Sequence, residues 1–101
     1  NGVNVERYPG YAFTSLAFNY KHRDMEPMIV TISPNDEAEL VTHEGQEFNY
    51  VLEGSILLTL GKKTYRIQKG ETFYFPAGQE HWLEAGKWGA TILWISSPPN
   101  F

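Results

Sequence analysis

The sequence predicts an all-β fold, a sandwich or barrel of short strands. Three observations carry this reading. Runs of four to eight β-branched, aromatic and aliphatic residues recur along the chain, and Gly or Pro cuts nearly every one of them. Nine Gly and six Pro supply that punctuation, against a hydrophobic content of 42% that is enough for a packed core. At 101 residues the chain fits a single domain spanning residues 1–101.

The elements follow in order. Tyr8-Pro9-Gly10 is a turn leading into a first strand over Tyr11 to Phe18, and Lys21-His22-Arg23-Asp24 is a polar loop in which His22 reads as a surface residue. Pro27 holds Glu26 extended, and the β-branched run Met28-Ile29-Val30-Thr31-Ile32 is a strand. Ser33-Pro34-Asn35-Asp36-Glu37 carries helix-start signals that favour a short helix through Leu40, yet Gly45 follows closely. A turn followed by a strand from Glu39 to His43 is the preferred reading, with Asp36 and Glu37 as solvated turn charges.

Phe48 to Glu53 and Ser55 to Leu60 are two strands separated by Gly54. Gly61-Lys62 suits a type II′ hairpin into Lys63 to Ile67. After Lys69-Gly70 comes the aromatic strand Thr72 to Phe75, and Pro76 and Gly78 suit the second and fourth positions of a type I turn. His81 to Glu84 begins a strand that should break near Gly86, and Ala90 to Ser96 is the last strand before Pro98-Pro99.

Charge and composition exclude several functions. Twelve acids against eight bases give a net charge of −4 with no basic cluster, so this domain itself offers no footprint for nucleic acid. The absence of Cys removes disulfides and thiolate chemistry and agrees with a cytoplasmic address. No apolar run has membrane-spanning length. The chain starts at Asn1 rather than Met, which suits a piece of something longer.

Chemistry concentrates between His43 and His81. Two imidazoles and the Glu47 carboxylate are bracketed by strand-forming sequence, and two His with one carboxylate leave open positions on a transition metal. Alternation along a strand puts Val41 and His43 on one face, and Glu47, Asn49 and Val51 on one face beyond the Gly45 bend. These faces are expected to point into the barrel. The aromatics Phe48, Tyr50, Phe73, Tyr74, Phe75, Trp82 and Trp94 read as core and dimer packing.

The spacing resembles the two motifs of the cupin superfamily. His43, three residues, Glu47, six residues and Gly54 match the first, and Gly70, five residues, Pro76, Ala77, Gly78, two residues and His81 match the second. The match covers about residues 40–85. It implies a double-stranded β-helix, or jelly-roll barrel, and a site with His43, Glu47 and His81 as metal ligands and Val41, Asn49, Val51 and Leu83 as ligand-binding residues. Two departures stand out: Val41 replaces a further His of the first motif, and Ala85 replaces the Asn that often ends the second, so three of four usual ligands are retained.

The stretch from Met25 through Gly54 further resembles the cupin half of bacterial helix-turn-helix regulators of the XRE type. By that resemblance the chain is a dimerising sensor domain that binds a small-molecule effector, with DNA contacted through a separate N-terminal domain. The competing reading is a small metal-dependent enzyme, a dioxygenase, isomerase or decarboxylase, using one divalent zinc, iron, manganese or nickel ion. A third is a sugar- or acid-binding cupin without catalysis. For His43 and His81 the competing reading is a metal-free polar lining, with Glu47 hydrogen-bonded to a histidine. A homodimer is expected in each case.

Overall fold

The computed structural model describes residues 4–5, 10–34 and 39–99. Among these residues seven strands form: β1 (Asn4–Val5), β2 (Tyr11–Ser15), β3 (Glu26–Ile32), β4 (Gln46–Leu60), β5 (Lys63–Gln68), β6 (Thr72–Pro76) and β7 (His81–Ser97). Every pairing is antiparallel, in the order β1-β2-β3-β7-β4-β5 with β6 on β4, and no helix occurs among the described residues. None of the described residues therefore forms a helix long and apolar enough to cross a membrane.

The curl of the sheet comes from β4 and β7, which are long enough to belong to both of its halves. The first half of β4 pairs with β6 and with the end of β7, while its second half pairs with β5 and with the start of β7. Between them the register shifts at Val51/Glu53 and again at Gly54/Ile56. Extra residues on one side of a ladder bend and twist it, so these bulges fold one half over the other. Gly54 is required at the bend, since it has a φ of +76° and any Cβ there would collide with the Gly89 carbonyl.

The expected breaks at Gly54 and Gly86 are thus corrected: β4 and β7 each run on through them, with Gly54 paired to Ala90 and residues 86–89 bulging out of register opposite Ser55 before pairing resumes at Ala85 with Ile56. The first strand is also shorter than expected, ending at Ser15. Beyond it Leu16 N–H donates to the Pro27 carbonyl, and a connection containing the exposed His22 leads to β3.

Alternation decides the core. Along β3 the residues Met28, Val30 and Ile32 are buried, and they meet Phe13 of β2 and Ile92 of β7. Val51, Ile56, Leu58 and Phe75 close the same cluster from β4 and β6. Tyr11 and Trp82 pack with ring centroids 5.4 Å apart.

Glu26 shares the inward face of β3 and is 1% exposed. Its carboxylate accepts from Ser15 Oγ at 2.5 Å and from Arg23 Nε at 2.9 Å, so the buried charge is paired and hydrogen-bonded.

Two local expectations change. Glu39 to His43 forms no strand; Val41 makes a single bridge to His81, through Val41 N–H to the His81 carbonyl and the reverse, both 3.0 Å. One bridged pair flanked by exposed Glu39 and Leu40 does not make a ladder. The middle of the rival helix, with the turn charges Asp36 and Glu37, falls on residues 35–38, outside the described residues, while its ends at Ser33, Pro34, Glu39 and Leu40 are not helical. The turn after β6 sits one residue later than expected, closed by Gln79 N–H to the Pro76 carbonyl at 3.2 Å, which puts Gly78 third rather than fourth.

Candidate metal centre

Three stretches of chain deliver three side chains to one point. Glu47 is the second residue of β4 and points inward, 1% exposed. His81 opens β7 and is 3% exposed. His43 lies on the segment that runs beside the β6–β7 connection, fixed by its N–H to the Ala77 carbonyl at 3.0 Å and by Ala77 N–H to the Gly45 carbonyl at 2.8 Å. Gly45 permits this approach, with a φ of +87° and a position where a Cβ would overlap the Ser97 carbonyl.

The geometry centres on one oxygen. Glu47 Oε2 lies 2.6 Å from His43 Nε2 and 3.2 Å from His81 Nε2, and one ligand atom from each residue falls within 4.8 Å of the others. The two imidazoles meet nearly edge to face, with centroids 5.2 Å apart.

The outer nitrogens fix the tautomers. His43 Nδ1–H donates to the Glu44 carbonyl at 3.0 Å and His81 Nδ1–H to the Gln79 carbonyl at 2.7 Å; a carbonyl can only accept, so each Nδ1 carries the proton. In the neutral rings both Nε2 lone pairs then face the carboxylate, an arrangement that needs a cation among them. A proton on an imidazole answers that need, and so does a metal ion. Backbone-anchored Nδ1–H groups are the usual outer support of metal-ligating histidines.

The electrostatics agree. Burial alone would raise the Glu47 pKa, but hydrogen bonds from His43 and His81 and their charge outweigh it and hold the carboxyl below its ordinary 4.5. His43 is raised above 6.5, chiefly by its hydrogen bond to Glu47, against the opposing effect of burial. Asn49 Nδ2 donates to Glu47 Oε1 at 3.3 Å and orients the carboxylate.

The donor set fits a transition metal. Ligands about 2.1 Å from one ion and at right angles to each other stand about 3 Å apart, close to the two separations from Glu47 Oε2. His43, Glu47 and His81 would hold the ion; a bound divalent metal supplies Lewis acidity and open positions for a small molecule. Val41 brings no donor to the fourth position.

The four residues expected to line a pocket divide. Asn49 is fully buried beside Glu47, and Val41 is partly buried and bridged to His81. Val51 and Leu83 belong to the continuous apolar core. Sequence reasoning did not single out the Glu44, Gln79 and Ala77 carbonyls, since any residue supplies a backbone carbonyl. It grouped Phe75 with the aromatics of core and dimer packing without singling it out, and the structure packs its ring on the His81 imidazole with centroids 4.6 Å apart.

A family model described as Cupin domain matches residues 28–96. The chain belongs to the cupin family. An uncharacterised protein of Methanocaldococcus jannaschii is 36% identical over 58 residues, which cover 56% of this chain and 46% of that protein.

Among solved structures, hydroxypropylphosphonic acid epoxidase from S. wedmorenis superposes with a TM-score of 0.84 at 22% identity, over 95% of this chain and 55% of that one. Its iron(II) form gives the same TM-score. An RmlC-like cupin from Shewanella frigidimarina gives 0.82 at 17% identity, covering 99% of this chain and 86% of the other. KdgF from Halomonas sp. gives 0.80 at 19%, covering 97% and 89%. These likenesses establish the fold. The chain spans about half the length of the archaeal relative and of the epoxidase.

Proposed function

We propose that this cupin binds one divalent transition metal through His43, Glu47 and His81 and uses it to catalyse a reaction of a small organic molecule. One observation carries the reading: three ligating atoms converge on a buried point with both histidine protons turned outward onto backbone carbonyls. Three protein ligands favour catalysis over a structural role, because structural sites close their coordination and catalytic ones keep a position open. Two His and one carboxylate with open positions are the donor set of non-haem iron(II) oxygenases, which makes iron the first metal to try.

Thermal unfolding of the chelator-treated protein with iron(II) under anaerobic conditions, zinc, manganese or nickel tests this. At least one metal should raise Tm in the native protein and leave Glu47→Gln unchanged. Equal behaviour of the two proteins with every metal would contradict the reading.

A second reading is that the same pocket senses an effector in a larger regulator that contacts DNA through another domain. It is supported by the partial coverage of the archaeal relative and the epoxidase, in which the matched unit has further chain beside it. A metal-loaded protein that binds small acids or sugars but turns none of them over would favour it.

In either reading the partner we propose is a second copy of the chain. Phe48, Tyr50, Tyr74, Ile29, Leu93 and Ile95 share the outer face of the sheet, in the register Tyr74–Phe48–Ile95 and Tyr50–Leu93–Ile29. Phe48, Tyr50 and Tyr74 are exposed, and no outward position of β3, β6 or the paired ends of β4 and β7 carries a charge. On a chain of net charge −4 this is a surface two copies can share without repulsion.

A further inference from the structure

Two buried polar atoms beside the metal triad have no hydrogen-bond partner: Asn49 Oδ1 and Trp94 Nε1. Asn49 is fully buried and Trp94 is 7% exposed. They stand directly opposite each other across the β4–β7 ladder and both point inward. Cross-strand partners on one face have Cβ atoms about 5 Å apart, yet the indole N–H does not reach the carboxamide oxygen.

The orientation of Asn49 is set by its neighbour. Its nitrogen must face Glu47 Oε1, since the oxygen would meet a carboxylate there, so Oδ1 is the end left over. Trp94 is likewise fixed, its ring packed on Phe13 with centroids 5.2 Å apart. The barrel interior thus presents one lone acceptor and one lone donor on facing residues, with Asn49 two residues or about 7 Å along β4 from Glu47. Buried polar groups are ordinarily satisfied, and a site built around a missing partner discriminates strongly for that partner.

We propose that Asn49 and Trp94 form a hydroxyl-reading subsite: a ligand O–H accepts from the Trp94 indole N–H and donates to Asn49 Oδ1. A hydroxyl is the simplest group that does both at once. Resting on the metal reading above, this names the ligand class as small hydroxylated acids, with the acid group at the open metal positions and the hydroxyl a few bonds away against the wall. Trp94 is then a specificity residue, in addition to its place in the core.

The test compares 3-hydroxypropionate with propionate, two acids that differ in the hydroxyl. Cobalt(II)-loaded protein is titrated with each by the cobalt absorption spectrum, in the native chain and in Trp94→Phe, which keeps the ring and removes the N–H. The native protein should bind the hydroxy acid about tenfold more tightly, the effect of one good hydrogen bond. In Trp94→Phe the two acids should come within about twofold of each other at unchanged cobalt content. Equal binding in the native protein, as expected if only a water fills the gap, overturns the subsite, as does a preference that survives the substitution.

A second readout does not need the metal. The Trp94 indole N–H resonance, assigned by its loss in Trp94→Phe, should shift with 3-hydroxypropionate and not with propionate. A shift without cobalt uptake would sink the metal reading and leave the subsite standing. Cobalt uptake without a shift would do the reverse.

Discussion

His43 Nε2 lies 2.6 Å from Glu47 Oε2, so a histidine from an irregular segment and a glutamate from the start of a long strand share one buried point. What occupies that point, a proton or a metal, sets how the protein responds to pH.

In the metal-free protein the two residues stabilise each other. Glu47 has its pKa lowered from 4.5, so its contribution is present above 4.5 and lost as pH falls through the lower folded value. His43 has its pKa raised from 6.5, so its contribution is complete below 6.5 and lost as pH rises through the higher folded value. The pair therefore supports the metal-free fold most between 4.5 and 6.5. Thermal unfolding of chelator-treated protein across pH should show this maximum, and Glu47→Gln should flatten it. An unchanged profile in the variant would contradict the assignment. Added metal should reverse the alkaline side, since it binds the deprotonated ligands.

Glu26 is a structural carboxylate. Glu26→Ala removes the acceptor for Ser15 and Arg23 and leaves a buried gap at the start of β3. A loss of about 3 kcal/mol is expected, with metal content unaffected. Chemical denaturation measures the first and elemental analysis the second; a loss of metal would show that the two buried carboxylates act together.

Gly54→Ala should destabilise by more than the usual benefit of replacing glycine, because the position combines a positive φ with direct approach of the Gly89 backbone. Denaturation should show a clear loss; a neutral or stabilising result would mean the bend between the two halves of the sheet is looser than the register shifts indicate.

Tyr50→Lys puts a charge in the middle of the uncharged outer face. Light scattering should find the native chain a dimer and the variant a monomer that keeps its fold by circular dichroism. A native monomer at micromolar concentrations would contradict the proposed partner.

The all-β class and the β3 strand were legible in the sequence because Met28 to Ile32 is an unbroken β-branched and apolar run that follows the extended Glu26-Pro27 step. The length of β4 and β7 was not, because Gly54 and Gly86 look like breaks to local reasoning while the ladder runs on through bulges supported by neighbouring strands. His43, Glu47 and His81 were legible from spacing. The contacts that orient them were not, since the Glu44 and Gln79 carbonyls carry no residue signature. Glu26 could have been found by extending the β3 alternation one step towards the N-terminus, which places a carboxylate on the same face as Met28. Trp94 shows a limit of another kind: its aromatic character marked it for core or dimer packing, but only the register against Asn49 reveals its unmet N–H.

The central claim is that His43, Glu47 and His81 hold a metal. Elemental analysis of the protein purified without chelator, then reloaded with the metal that best raises its Tm, tests this most directly. The native chain should carry close to one equivalent, and His81→Ala and Glu47→Gln should each retain less than about a tenth of it, since loss of a ligand from a three-ligand site removes most of the affinity. Native protein that takes up no metal, or variants that hold as much as the native chain, would contradict the account.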